Sequence, residues 1–364
     1  MNDCNFAYIN YQKGKSHLEW GNSHGEEFKD AINELVEIRT NLMLEKNPLL
    51  RNKLDELAKQ QFEISKNYSP HLADELEGIA KGSNKTITEI VILNNYTDFR
   101  DIELNEEGCS TIHIQRGEKS FSGQTWDMHS SAKRFVNVIH IPKNDHSPEH
   151  IVFSLVGCLG MMGLNTHKCF IGVNNINTKN AKAGLIWPLL VRSALETKNF
   201  NELERKITSA PVTSGHNYII STPENGAHWE ITPEEKECIG KSKRGDASEI
   251  FHTNHCLGEK IKKIEDPQSS SSTTHNRFEI LAKKTPLIET NKDLISLLKD
   301  HEGHPKSICS HYESGKQDPS MTCGGGVVDF QDLSFHLWRG CQEYDKKYQE
   351  YNFILKNESF QLIT

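Results

Sequence analysis

Along the first hundred residues the apolar positions recur at helical spacing. Phe28, Ile32, Leu35, Val36 and Leu42 fall on one stripe between Glu26 and Glu45, with Arg39 its polar member. Residues three and four apart share a helix face, so this stretch predicts an amphipathic helix. After Pro48 a second helix is expected over Leu49–Ile64. Ser69-Pro70 has the residue types of an N-cap and first turn. Leu72, Leu76 and Ile79 then hold one face up to Gly82. Thr86 and Glu89 have capping-box spacing, which predicts a fourth helix through Asn94. The acidic, polar run Asp98–Glu107 reads as an exposed loop.

After Gly108 the sequence reads as strands. Cys109–Gln115 alternates in type, and Ser120–Trp126, Phe135–Ile141, Ile151–Val156 and Cys169–Val173 are strand-like runs. Asn217–Ser221 and His228–Thr232 flank the turn-forming residues Pro223-Glu224-Asn225-Gly226. Met321–Phe330 and Leu333–Trp338 read as the final strand pair. Helices are expected at Leu185–Thr197, Glu202–Ile207, Arg277–Lys284 and Lys292–Asp300, and Ser269–Thr274 reads as a polar loop. Strands in bulk with helices between them predict an α+β fold, with stacked sheets covered by helices.

Composition narrows the partners. The net charge of −8 argues against nucleic acid or an anionic membrane. No apolar run approaches the roughly 20 residues that span a bilayer. Met1–Lys15 lacks the apolar stretch of a secretory signal, so a cytoplasmic location is the expectation. Nine cysteines, odd in number and scattered over 364 residues, do not suggest a disulfide framework.

Gly-Cys occurs at 108–109, 157–158 and 340–341. The first copy stands apart because it lies where helices give way to strands, precedes Ser110 and Thr111, and opens a hairpin. With Gly117-Glu118 as the turn, a hairpin centred on residue 118 sets Asp127 opposite Cys109. Opposed β-carbons lie about 5 Å apart, so Asp127 would reach the thiol or its amine. A cysteine at a chain's N-terminus carries its own base, because its α-amine can accept the thiol proton. An internal cysteine lacks that amine, so the Gly108–Cys109 bond must first be cut. Thiol attack on the Gly108 carbonyl gives a thioester that water opens, and glycine tolerates the strained backbone such attack needs. The plain alternative for Cys109 is a buried strand cysteine, and for Asp127 an acid that makes local hydrogen bonds.

These residues carry a resemblance. Gly108-Cys109-Ser110-Thr111 followed by Gly123-Gln124-Thr125-Trp126-Asp127 resembles the acyl-coenzyme A:isopenicillin N acyltransferase family of N-terminal nucleophile hydrolases. Further matching blocks are Glu75–Gly82, Gly163-Leu164-Asn165, Ile171-Gly172-Val173-Asn174-Asn175, His252–Leu257, Ser307-Ile308-Cys309 and Gly315-Lys316. The resemblance implies a four-layer αββα sandwich. It also implies self-cleavage into a mainly helical small chain, 1–108, and a catalytic large chain, 109–364. By position it makes Cys109 the nucleophile, Asp127 its orienting acid and Asn254 an oxyanion donor, with Asn174 or Asn175 supplying the second. Thr111, Trp126, Met128 and His129 are the expected substrate contacts.

Two places where the family carries arginine hold Ser310 and the run Gln317-Asp318-Pro319. This favours hydrolysis of a small N-acyl compound over acyl transfer, in which acyl-coenzyme A would be a co-substrate. A binding protein that kept the fold is the non-enzymatic alternative. No other cofactor is expected, nor is a metal. His252 and His255 stand on a strand-like segment, where such spacing does not bring two rings together, and His301 and His304 repeat the spacing without a clear second pair. Gly324-Gly325-Gly326 lacks the residues of a phosphate loop.

Overall fold

The computed structural model describes residues 5–101, 109–266, 272–311 and 320–363. Gly108, Gly315-Lys316 and Gln317-Asp318-Pro319 therefore lie outside the described residues, as do 102–107 of the expected acidic loop and 269–271 of the later polar one. Strand β1 (Ala7–Asn10) opens the chain. Helices α1 (His17–Glu27), α2 (Lys29–Lys46), α3 (Leu54–Tyr68), α4 (Pro70–Ser83), α5 (Ile87–Asn94) and α6 (Tyr96–Asp101) follow. Next come β2 (Thr111–Arg116), β3 (Lys119–His129), β4 (Val136–Ile141), β5 (His150–Leu155), β6 (Met162–Asn165) and β7 (Phe170–Asn175). Helices α7 (Trp187–Ala194) and α8 (Phe200–Ser209) precede β8 (His216–Ser221), β9 (Asn225–Ile231), β10 (Lys236–Lys243) and β11 (Ala247–His252). Helices α9 (Ser272–Lys284) and α10 (Asn291–Leu298) lead to β12 (Ser320–Asp329), β13 (Ser334–Arg339), β14 (Gln349–Lys356) and β15 (Ser359–Ile363).

The strands form two sheets. One has eight strands in the order β1-β4-β5-β6-β7-β8-β9-β10, the other seven in the order β11-β2-β3-β12-β13-β14-β15. Strands β2 and β3 of the second sheet face β7 and β8 of the first. Helices α7 and α8 cover the first sheet, while α9 and α10 cover the second. This is the four-layer αββα sandwich. The pair Met321–Phe330 and Leu333–Trp338 is not the last, because β14 and β15 continue the sheet. The region before Cys109 is not wholly helical either, since β1 pairs in parallel with β4.

Local signals act where expected. The Thr86 hydroxyl accepts from the Glu89 N–H at 3.2 Å, and the Glu89 carboxylate accepts from the Thr86 N–H at 2.8 Å. Arg39 closes the α2 stripe by burying its guanidinium, which donates to the Leu93 carbonyl at 2.6 Å and lies over the Tyr96 ring. Asp98 is a correction. It sits in α6 and is fully buried rather than in an exposed loop, because Ser214 donates to it at 2.8 Å and His216 lies 3.3 Å away. Residues 272–274 likewise belong to α9 rather than to a loop.

Helix α1 crosses α4 with almost no side chains between the backbones. A β-carbon at Gly21 would lie 2.0 Å from the Glu75 carbonyl oxygen, and one at Gly78 2.2 Å from that of Leu18. Glycine is required at both positions by this close approach. The seam also holds Glu75, a fully buried carboxylate that accepts from Arg192 at 2.9 and 3.0 Å and from Tyr11 at 3.0 Å. Burial alone would raise the Glu75 carboxyl, but Arg192 and His17 hold it well below the usual carboxylate range. Gly78→Ala should therefore cost about 1–3 kcal/mol through overpacking, read as a lower urea midpoint at unchanged slope. A midpoint equal to wild type would mean the helices are not in this contact.

Candidate active site

Strand β2 buries its two faces differently. Ile112 and Ile114 pack with Phe121 against Leu281, Leu294, Leu297 and Leu298 of the covering helices. The alternate residues Thr111, His113 and Gln115 are also fully buried, but they are polar and face the other sheet. Thr111 and His113 are bonded there, whereas the Gln115 amide donates to the Gly117 and Lys119 carbonyls of its own hairpin. Thr111 donates to Asn174 at 3.1 Å, and His113 bonds Ser122 at 2.8 Å and Ser242 at 2.7 Å. Burial pushes the His113 imidazole down to about 4, so it is neutral near pH 7. Gln124 on β3 spans the gap between sheets. Its amide donates to the Val173 carbonyl at 3.2 Å and accepts from the Val173 N–H at 2.7 Å. Gly172 leaves the room for it, since a β-carbon there would meet the Gln124 oxygen at 2.2 Å.

The hairpin register runs from Arg116 opposite Lys119 to Thr111 opposite Gln124. Gly117 and Glu118 form a two-residue turn, so the symmetry point lies between them and not on residue 118. Carried onward, this register sets Cys109 against Trp126 rather than against Asp127. The expected pairing is off by one step. Cys109 still meets Asp127, but through the backbone: the Asp127 N–H donates to the Cys109 sulfur at 3.3 Å, and the thiol lies 3.8 Å from the Asp127 carbonyl oxygen.

The Asp127 carboxylate accepts from the Thr322 hydroxyl at 2.8 Å. Burial raises this carboxyl to about 7, against the opposing pull of Arg277 and Thr322. Arg277, expected only as the start of a helix, lies inside α9. It is 1% exposed, and its guanidinium donates to the Cys109 carbonyl at 2.6 Å, the Ser110 hydroxyl at 3.0 Å and the Asn254 side-chain oxygen at 2.8 Å. That last bond orients the Asn254 amide, whose nitrogen then donates to the Asn175 carbonyl at 2.9 Å.

These groups surround one cleft. It is lined by Cys109, Trp126, Asp127, Met128, Asn174, Asn175 and Asn254, together with Thr97, Val173, Trp187 and His216. Its free space is about 20 Å³, room for little more than one water. Asn174 is the more tightly held of the adjacent asparagines. It accepts from Asn217 at 2.7 Å and donates to the Thr253 carbonyl, whereas the Asn175 amide donates to Asn177 at 2.7 Å. The Thr111 hydroxyl is engaged in the inter-sheet network. The His129 ring bonds Ser131 at 2.7 Å and lies edge-on to Tyr96. Thr97 and Trp187, joined by a 3.1 Å bond, are wall residues the sequence did not mark.

A model of the family described as acyl-coenzyme A:6-aminopenicillanic acid acyl-transferase matches residues 114–325. The chain belongs to that family. The match takes in Asp127, Asn174, Asn175, Asn254 and Arg277, and begins just after Cys109. The chain is similar to the acyl-coenzyme A:6-aminopenicillanic-acid-acyltransferase 40 kDa form of Emericella nidulans, with 27% identity over 82% of this chain and 83% of that protein. Solved structures found by shape include the Caenorhabditis elegans N-acylethanolamine-hydrolyzing acid amidase ortholog, at 11% identity and TM-score 0.40 over 60% of this chain and 92% of that one. Another is penicillin V acylase from Agrobacterium tumefaciens, at 12% identity and TM-score 0.37 over 70% and 98%. No described helix is long and apolar enough to cross a membrane.

The buried carboxyl of Asp127 makes stability depend on pH with a defined sign. Its folded pKa lies near 7, above the unfolded value of about 4, so the folded state holds the proton longer. Stability from this group is full at low pH and is lost as pH rises across that window. Asp127→Asn cannot titrate. In a Cys109→Ala background its thermal midpoint should gain on the aspartate form from about pH 5 to about pH 8. A gap that stays flat or narrows would show that the carboxyl is not buried in this way.

Proposed function

We propose that this acyltransferase-family chain is a precursor cut at the Gly108–Cys109 bond, and that the product is a cysteine amidohydrolase acting on a small N-acyl compound. The observation that carries this reading is the setting of Cys109. Its sulfur lies in the cleft against the Asp127 N–H, while Arg277 grips its carbonyl and orients Asn254 beside it.

In the proposed first step the Cys109 thiol attacks the Gly108 carbonyl. The C–N bond breaks, the nitrogen takes the thiol proton, and a thioester forms. Water opens the thioester, leaving a Gly108 carboxylate and a free Cys109 with its α-amine. That amine, with a reference pKa near 8, then serves as base for the thiol beside it. The thiolate attacks the substrate carbonyl, the amine product leaves with a proton, and water hydrolyses the acyl-enzyme.

Each neighbour has a part in this scheme. Asn254 offers a side-chain N–H to the oxyanion, since its oxygen is already committed to Arg277. Asn174 or Asn175 supplies the second donor. Asp127 is the counter-charge to the new ammonium, which would draw its carboxyl down from near 7. Arg277 is a positioning residue that fixes the Cys109 backbone and the Asn254 amide. Trp126 and Met128 offer an apolar wall to the acyl group.

Freshly purified protein should resolve by mass spectrometry into pieces of 108 and 256 residues. Cys109→Ala should stay whole and inactive; processing that continued in this variant would exclude the cysteine. Asn254→Ala, once processed, should lose about 10²–10³-fold in kcat with a smaller change in KM. Arg277→Lys keeps the charge but loses the fork that holds its three partners, and it should slow both processing and turnover. Acyl transfer is the second reading, favoured by the activity for which the Emericella relative is named. Adding amine acceptors to an acyl-coenzyme A reaction separates the two. Capture of the acyl group by the acceptor supports transfer, and release of only the free acid supports hydrolysis.

A further inference from the structure

Away from the cleft, four metal-ligating side chains converge from three loops. His301 follows α10, Cys309 and His311 lie on the segment before β12, and Cys341 follows β13. One ligand atom of each lies within 4.8 Å of all the others. The Cys341 sulfur is 3.3 Å from the His301 Nε2, and the Cys309 sulfur is 3.4 Å from the His311 Nε2. A tetrahedral zinc ion with Zn–S near 2.3 Å and Zn–N near 2.0 Å sets sulfur and nitrogen ligands about 3.5 Å apart. Both pairs already stand close to that spacing.

The surroundings also suit a metal. The His301 Nδ1 lies 3.0 Å from a Glu343 carboxylate oxygen, which turns its Nε2 towards the thiols. Imidazole ligands commonly carry such a carboxylate on their far nitrogen. Both sulfurs are almost fully buried. The backbone at the ligands is pinned as well. Cys309 donates to the Asp300 carbonyl at 2.9 Å, Gly340 donates to the Cys323 carbonyl at 2.9 Å, and His311 bridges to Met321. His304, marked in the sequence for its spacing from His301, is not a member; its ring bonds the His311 carbonyl at 3.1 Å.

We propose that His301, Cys309, His311 and Cys341 form a structural Cys2His2 site for one zinc ion. Two thiolates neutralise the divalent charge, and the soft sulfur pair with two imidazoles favours zinc over magnesium or calcium. The four protein ligands fill the tetrahedron, so the ion is structural and not catalytic. The site bears on the cleft through Ser310, which stands between two of its ligands. Ser310 donates to the Thr322 hydroxyl at 2.9 Å and accepts from the Thr322 N–H at 2.9 Å, and that hydroxyl holds Asp127. The metal thus stiffens the outer end of the chain of bonds that positions the Asp127 carboxylate.

The test is metal analysis of the full chain purified under reducing conditions without chelator. About one zinc per chain is expected, and the stripped protein should retake one equivalent from zinc sulfate. Cobalt substitution should give the intense visible bands and near-ultraviolet thiolate charge transfer of a tetrahedral sulfur-nitrogen site. Cys341→Ser and His311→Ala should each lower zinc content well below one, whereas Cys109→Ala should keep the full equivalent. This makes the result independent of the proposed chemistry at Cys109. The cobalt spectrum of the unmutated chain decides the matter if those variants do not fold. A reduced chain that takes up no zinc would overturn the proposal. So would a Cys309–Cys341 disulfide in the peptide map of native protein, or undiminished zinc in both ligand variants.

Discussion

Arg277 is the group on which the arrangement around Cys109 depends. A guanidinium cannot shed its charge, and it is buried here to 1% exposure. Burying an unpaired cation costs several kcal/mol, so its partners are structural requirements and not decoration. One nitrogen is held by the Cys109 carbonyl and the Ser110 hydroxyl, another by Asn254, and Asp127 provides nearby negative charge. The dependence runs both ways. Asp127, raised by its own burial, is kept from rising further by this cation.

That arrangement sits on a layer that departs from the usual economy of stacked sheets. The space between two sheets is ordinarily filled by apolar side chains. Near Cys109 it holds Thr111, His113, Gln124, Asn174 and Asn217, all buried and cross-bonded. Such a network is directional where an apolar layer is not. It fixes how far one sheet can slide over the other, and the cleft needs that precision because its walls come from both.

Much of the fold was legible in the sequence because local rules govern it. Alternation in β2, the Thr86–Glu89 capping box and the Gly117-Glu118 turn each depend on residues a few positions apart. What escaped was carried by distance or by the absence of side chains. Helix α1 meets α4 through Gly21 and Gly78, and glycines leave no apolar stripe to read. Arg277 shares its buried helix face with Thr274 and Leu281, at spacings of three and four. A polar residue on that stripe was the available signal, but its partners are far away in sequence. The hairpin was recognised, yet its centre was set on a residue instead of between two, and a single step of register exchanges faces. Cys109, Asp127 and Asn254 nevertheless line one cleft, because a backbone contact brings together what the side-chain pairing did not.

Strand β1 belongs to the segment that precedes Cys109, yet it is hydrogen-bonded to β4 within the first sheet. Glu75 from the same segment is locked to Arg192 in the core. In an intact chain these pairings close as intramolecular loops, whose entropic cost grows only slowly with length. If the covalent link is cut afterwards, as proposed, the pairings can persist but the route back to them is altered. Once unfolded, the two pieces would have to find each other by diffusion, at a rate set by their concentration. A chain matured in this way would fold once as a single polymer and thereafter persist by its barrier to unfolding, with the intact precursor as the only efficient source of new molecules.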